Sequence, residues 1–254
     1  MSYFGPKDFY LEAAQGNVPG VTLVSKFGAN PDVEDTQTED IWFIGGEVNY
    51  LTAAETLTVS SSIDEDDGIE SGGLTGARVV HIVGLDAEFN ELSEDVTMHG
   101  VADVTTSGSY LRVIRAYVEE VGSLNINEGN IAIEESGTET DMAYIQAGFG
   151  QTQIGHYTVP TGKTAYITAY EGTASPGAGT AAARSGMFRL FTREQGKAWR
   201  LRVEFGHRSD GGAGQIRLDA PIVCPAQCDI RWEFESKSAN VEAYIKYAIA
   251  LVDD

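Results

Sequence analysis

Two cysteines, four histidines and one dense run of acids are the residues whose chemistry could give this chain an activity. Cys224 and Cys228 flank Pro225-Ala226-Gln227 between two predicted strands. A structural zinc site needs four ligands, usually two spaced pairs, and no second pair accompanies this one. A thioredoxin-type pair needs C-x-x-C at the start of a helix, which this spacing does not supply. The cysteines therefore read as two buried or turn thiols. His81, His99, His156 and His207 are scattered, and His81 lies inside the apolar run Val79-Val80-His81-Ile82-Val83, where a hydrogen-bonded core histidine is expected. Gly162-Lys163-Thr164 imitates the end of a phosphate loop, but Tyr157 stands where its first glycine belongs. Ser175-Pro176-Gly177-Ala178-Gly179-Thr180 lacks the Gly-Lys-Ser/Thr ending and reads as a strand connector. In Asp64-Glu65-Asp66-Asp67-Gly68, Ile63 occupies the first ligand position of a D-x-D-x-D-G calcium loop, so a solvated acidic loop is expected. No nucleophile–base pair, metal cluster or cofactor motif emerges. The chain reads as a non-enzyme with no cofactor.

The elements around these residues are predicted to be strands. Alternation of apolar and polar residues marks half-buried strands. It appears at Leu57 and Val59, at Val79–Val83, at Val96 and Met98, and along Tyr110–Val118. It is strictest in the second part. Trp199, Leu201, Val203 and Phe205 oppose Arg200, Arg202 and Glu204, and Ile230, Trp232 and Phe234 oppose Arg231, Glu233 and Glu235. Val241, Ala243, Ile245, Tyr247, Ile249 and Leu251 form a final buried stripe. Glycine- and acid-rich loops are expected at 63–76 and 101–108, and a loose connector at 173–186. No helical stripe is evident. Strands joined by short turns predict antiparallel sandwiches. The expected fold is all-β, with two antiparallel β-sandwich or jelly-roll-like units and an irregular N-terminal arm. The arm spans 1–40, an acidic sandwich 41–149 and a jelly-roll-like sandwich 150–254, with one continuous large sandwich as the alternative.

Charge divides the chain. Residues 1–149 carry 27 acidic and 5 basic side chains, and the remainder 11 and 12. Nucleic-acid binding needs Lys and Arg to displace counterions, so this distribution argues against it. No apolar run is long enough to span a membrane, and no basic-then-apolar leader opens the sequence, so a membrane partner is not expected either.

The stretch from Phe9-Tyr10-Leu11-Glu12-Ala13-Ala14-Gln15-Gly16-Asn17-Val18-Pro19-Gly20 through Val24-Ser25-Lys26-Phe27-Gly28-Ala29-Asn30-Pro31-Asp32-Val33 to Ile41-Trp42 resembles the opening of a family of uncharacterised structural proteins. These belong to tailed, often marine, bacteriophages. Tyr157-Thr158-Val159-Pro160-Thr161-Gly162-Lys163-Thr164-Ala165-Tyr166 is similar to the same family's mid-chain motif. The resemblance implies a virion location and a decoration or head or tail appendage. It also implies assembly with other copies as a homo-oligomer, and with virion proteins such as the major capsid protein. Phe9, Tyr10, Leu11, Val18, Val21, Leu23 and Phe27 of the arm are the expected assembly contacts, adding a strand to a neighbour's sheet edge. On this reading residues 1–31 can be removed without unfolding either sandwich. A glycan-binding tail-fibre adhesin is the alternative, with a glycoside-cleaving enzyme behind it.

Overall fold

The computed structural model describes residues 8–69, 75–177, 184–210, 214–237 and 240–254. A short helix, α1 (Phe9–Ala14), begins at Asp8, whose carboxylate accepts from the Tyr10 and Leu11 N–H groups at 2.9 and 3.2 Å. β1 (Val21–Val33) and β2 (Thr38–Asp40) follow. The middle of the chain forms β3 (Glu55–Ser61), β4 (Ala77–Leu85), β5 (Glu91–Thr97), β6 (Val104–Tyr110), β7 (Arg112–Val121), β8 (Ile131–Glu135) and β9 (Thr140–Ile145). β10 (Tyr157–Thr158), β11 (Lys163–Pro176), β12 (Ser185–Glu194), β13 (Arg200–Arg208), β14 (Gly214–Cys224), β15 (Cys228–Ser236) and β16 (Val241–Asp253) complete it. The protein is all-β, and every pairing between these strands is antiparallel.

Two sheets with orders β1-β16-β11-β14 and β10-β15-β12-β13 enclose one core, built on Tyr170, Phe188, Trp232, Phe234, Tyr247 and Ile249. This is the jelly-roll arrangement, two four-stranded sheets between which the chain alternates, except at the β12–β13 hairpin, which stays in one layer. Its second strand position is split. Asp40 of β2 pairs with Glu233, Ile41 N–H donates to Trp232 O at 2.9 Å, and Tyr157 of β10 pairs with Ile230. The two pieces lie end to end along β15, and residues 42–156 leave the strand between them. They fold into a second sandwich, with sheets β6-β3-β8-β9 and β5-β4-β7 around Leu57, Val59, Ile82, Met98, Ile131 and Ile133.

Several expectations need correction. The irregular arm is not irregular over 21–33: those residues form β1, paired with β16 of the same chain from Val21↔Val252 to Val33↔Val241. Gly28-Ala29-Asn30-Pro31 resembles a turn because glycine and proline occupy it, yet it is extended. A Cβ on Gly28 would sit 2.4 Å from Gly155 N and from Ile41 O, so only glycine lets β1 pass that close. Pro31 is tolerated because β1 is an edge strand. Removal of residues 1–31 would therefore take a strand from the jelly roll.

Tyr110–Val118 is not one strand: Leu111 separates β6 from β7, and β6 fills most of the expected loop at 101–108. The connector expected at 173–186 is strand to Pro176 and again from Ser185, and 178–183 lie outside the described residues. Leu201 is 50% exposed rather than buried, since β13 is an edge and its register slips where Leu190/Val203 gives way to Phe191/Leu201.

Candidate functional site at the junction of the two sandwiches

Where the inserted sandwich meets the jelly roll, the chain concentrates its buried charge. Asp229, near the start of β15, is fully buried and accepts five bonds. Arg112 Nε and Nη2 donate at 3.1 and 3.3 Å, Arg193 Nε and Nη2 at 3.2 and 2.6 Å, and Thr158 Oγ1 at 2.7 Å. Arg112 opens β7 of the inserted sandwich, and its Nη1 also donates to the carbonyls of Leu51 and Leu111 at 2.9 and 2.8 Å. The other partners belong to the jelly roll. Bidentate arginine–carboxylate bonds of this kind are among the strongest polar contacts available to a protein. They join residues 117 positions apart in sequence.

The guanidinium groups continue into a ladder with aromatic rings. Arg112 lies 4.9 Å from the Tyr50 ring centre, Arg193 4.9 Å from Tyr50 and 4.3 Å from Trp199, and Arg231 4.6 Å from Trp199. The order is Arg112, Tyr50, Arg193, Trp199, Arg231. Each cation thus faces the electron-rich side of a ring rather than another cation. At one end, Arg231 Nε stands 3.3 Å from the buried Asp40 Oδ1, and Asp40 Oδ2 accepts the Val48 N–H at 2.7 Å. Burial raises the Asp40 carboxyl to about 7, against the pull of Arg231. The other end borders a groove of 250 Å³ lined by Tyr50, Arg112, Arg193 and Lys197.

Two further buried bases lie at the same junction. Lys26 of β1 donates from Nζ to Ile114 O at 2.6 Å, and His156 Nε2 lies 3.0 Å from Val113 O. Burial, then the nearby Arg115, lowers the Lys26 amine to about 7. Burial, then Lys26, lowers the His156 imidazole to about 3, which leaves it neutral at neutral pH. Leu85, Phe89, Leu111 and Ile114, at the base of the inserted sandwich, pack into the jelly-roll core. The arrangement ties two bodies together.

The residues singled out by sequence lie mostly elsewhere. His81 is not a core histidine: it lies on the outer face of β4, its Nδ1 2.6 Å from Asp95 Oδ1 and its ring 5.0 Å from Tyr117. The apolar run misled because cross-strand partners, not chain neighbours, decide which face a residue occupies. The acidic loop is only partly solvated. Asp66 and Asp67 are buried, and Asp66 accepts from Ala77, Glu128 and Gly129 N–H and from Ser61 Oγ at 2.7–2.9 Å. Its carboxylate closes a turn. Lys163 Nζ reaches Asp253 at 2.8 Å and Thr164 Oγ1 reaches Asp254 at 2.6 Å, so the phosphate-loop imitation is a strand start bound to the C-terminal acids. Cys224 and Cys228 are free thiols in the core. Among the described residues, no three His, Cys, Asp or Glu side chains are grouped to hold a metal ion, and no helix is long and apolar enough to cross a membrane.

Of the expected contact residues, Phe9 and Leu11 on α1 are about half exposed, whereas Tyr10 lies under Arg217 at 5.2 Å. Val18 is half-buried ahead of β1. Val21, Leu23 and Phe27 share one face of β1, opposite Val252, Ala250 and Lys246, and are half-buried within the chain's own sheet. Sequence reasoning missed Arg112, Asp229, Lys26 and His156. The one available signal was a lysine in the Val24-Lys26-Gly28 alternation, where an apolar residue belongs.

No protein-family model matches the sequence, and no curated protein matches it. Among solved structures, the chain is similar to the crystal structure of the infectious bursal disease virus VP2 subviral particle. That match covers 90% of this chain and 71% of that chain, at 13% identity and a TM-score of 0.23. A structure of the Gt strain of infectious bursal disease virus matches over 97% of this chain and 81% of that chain, at 11% identity and a TM-score of 0.20. TM-scores of this size do not establish a shared topology.

Proposed function

We propose that this chain is a structural component of a tailed-bacteriophage virion, a capsid decoration or a head or tail appendage that works by protein–protein assembly. The observation that supports this most is the lock on Asp229, which fixes the inserted sandwich to the jelly roll through five bonds. The ionisable side chains at the junction hold two bodies in register, which suits a part whose shape must persist within an assembly. Jelly rolls recur in viral shells and also in lectins, so the fold contributes by analogy only. The sequence resemblance to phage structural proteins points the same way. In this reading α1 and the outer side of β1 form the face that meets neighbouring copies and the major capsid protein, and Phe9 and Leu11 lead the contact.

The test is a double substitution, Phe9→Asp with Leu11→Asp. Surface changes of this kind alter stability by about 0.5 kcal/mol or less, so the variant should fold normally. Its incorporation into particles, read by mass spectrometry of purified virions, should fall at least tenfold. Incorporation at the wild-type level would remove this face from the assembly. Labelling confined to a fibre tip, seen by electron microscopy, would favour the adhesin. One feature supports that second reading: the half-exposed rings of Phe43 and Tyr144 stack parallel, with centres 5.6 Å apart. Such a pair could stack on a sugar, which a glycan array would reveal.

A further inference from the structure

Between the edge of the jelly roll and the base of the inserted sandwich lies a cavity of 180 Å³. Its walls are mainly apolar, with Val24, Val83, Leu85, Ile114 and Tyr157 among the residues that line it. Lys26 opens onto it from the buried face of β1, where its neighbours across the sheet would favour an apolar side chain. Among the described residues the amine has a single hydrogen-bond acceptor, Ile114 O, and no carboxylate pairs with it. Glu91 and Arg115 stand on the cavity wall as the other charged groups.

We propose that Lys26 is a covalent capture site, whose ε-amine condenses inside this cavity with small apolar aldehydes to give an imine. Such carbonyl chemistry suits a desolvated lysine in an apolar pocket, because the free amine is the nucleophile and water is scarce around the product. The nitrogen lone pair attacks the carbonyl carbon, and the C=O π pair moves to oxygen, which takes a proton. The nitrogen then loses its proton, the hydroxyl leaves as water, and C=N closes. Amine and aldehyde give imine and water, with no change in oxidation state. The protons that nitrogen gives up are those the departing oxygen takes, so the step needs no outside acid. The depressed basicity of Lys26 supports the reading, since much of its amine is unprotonated at pH 7.

The inference rests on the cavity and is independent of the assembly reading. Full-length protein is treated with butanal and sodium cyanoborohydride at pH 7, and alkylation is followed by peptide mapping. Lys26 should be alkylated about tenfold faster than Lys163, Lys197, Lys237 or Lys246, because an ordinary lysine of pKa about 10.4 holds only a trace of free amine there. Val83→Phe, which narrows the cavity and leaves the amine in place, should slow Lys26 about tenfold and leave those four lysines unchanged. Alkylation that follows exposure, with Lys26 untouched in folded protein, overturns the proposal. So does a Lys26 rate that Val83→Phe does not alter, since the cavity would then not be the route.

Discussion

The jelly roll and the sandwich inserted into it solve the same folding problem with different materials. The outer body uses long strands, 13 residues in β1 and β16 and 14 in β11, and stacks large rings in its core. Phe188 packs on Phe205 and Phe234 with ring centres 5.0 and 4.7 Å apart, and Trp232 packs on Tyr170 at 5.2 Å. The inserted body uses strands of 5 to 10 residues and a mainly aliphatic core. Their surfaces differ too. On the jelly roll, Arg189 bridges Glu204, Glu233 and Glu235. The insertion, residues 42–156, has 20 acids against 3 bases. Its acids must therefore repel one another: Glu134, Asp141, Glu139 and Asp103 crowd one end, and Glu134 is pushed up by burial and by those three neighbours. The outer body contributes cohesion, and the inner one contributes charge.

The largest effect expected from breaking this arrangement comes from the edge strand that sequence reading took for part of an irregular, removable arm. Deleting residues 1–33 removes β1 and uncovers one side of β16, so the jelly roll should fail to fold and the protein should aggregate. Deleting 1–16 removes only α1 and should leave a cooperative thermal transition close to that of the full chain. Circular dichroism of the two truncations decides it. Folded protein from the longer deletion would show that β1 is dispensable.

Next in size is the lock. Asp229→Ala leaves two arginines in a buried site without their carboxylate, a change that typically costs about 3–5 kcal/mol. For a chain of this length that corresponds to a fall in Tm of roughly 10 °C. Because Arg112 supplies the link to the insertion, Arg112→Met combined with Asp229→Leu should recover part of the loss. A double variant no better than the sum of the singles would mean that the pair is not coupled.

These two regions also show where sequence was informative. The strict alternation at Ile230/Trp232/Phe234 and Val241–Leu251 was readable because core-facing positions recur every second residue, and those positions are buried in β15 and β16. The wet face expected of β15 is absent, since Arg231, Glu233 and Glu235 are largely covered and paired with one another or with Arg189 and Asp40. The all-β class was readable for the same reason. β1 was obscured by Gly28 and Pro31, whose turn-like types serve here for close approach and for an edge position. β6 was hidden by a run of Thr, Ser and Gly with little apolar content. The junction was unreadable in principle from local pattern, since Arg112 and Asp229 meet only after the insertion has folded and docked. Their spacing carries no periodicity.

A third prediction concerns pH and isolates Lys26. Its amine titrates near 7 when folded and near 10.5 when unfolded. Between those values the unfolded chain holds a proton that the folded chain has released, so stability rises as pH rises from 7 toward 10.5. Below 7 that contribution is lost. Asp40, raised to about 7, acts in the opposite sense and weakens the fold as pH climbs from about 4 to 7. His156, lowered to about 3, opposes Asp40 over much of that range. Between 7 and 9 the shifted thiols Cys224 and Cys228 also contribute, but equally in a Lys26 variant, so the difference between the two proteins belongs to Lys26. Urea titrations should show wild type gaining up to about 2 kcal/mol across it relative to Lys26→Met. The variant loses the bond to Ile114 O at every pH, so the slope rather than the level is the readout. Equal slopes would rule out a buried, weakly basic amine.

The smallest expected effect tests the charge contrast directly. Repulsion among exposed carboxylates is screened within a Debye length of about 8 Å at physiological salt and about 3 Å at 1 M. Raising sodium chloride from low concentration to 1 M should therefore stabilise the inserted sandwich by relieving the crowding around Glu134. The buried lock on Asp229 should respond little, since its charges are removed from the solvent. Hydrogen exchange followed by mass spectrometry resolves the two bodies in one sample. Amides of β8 and β9 should gain protection with salt, by about 0.5–1 kcal/mol if the relief is comparable to that of surface ion pairs. Amides of β12 and β15 should not, because their carboxylates already face arginines that the same salt would screen. Uniform protection across both bodies would instead mean that they unfold as one cooperative unit, with the junction transmitting the gain.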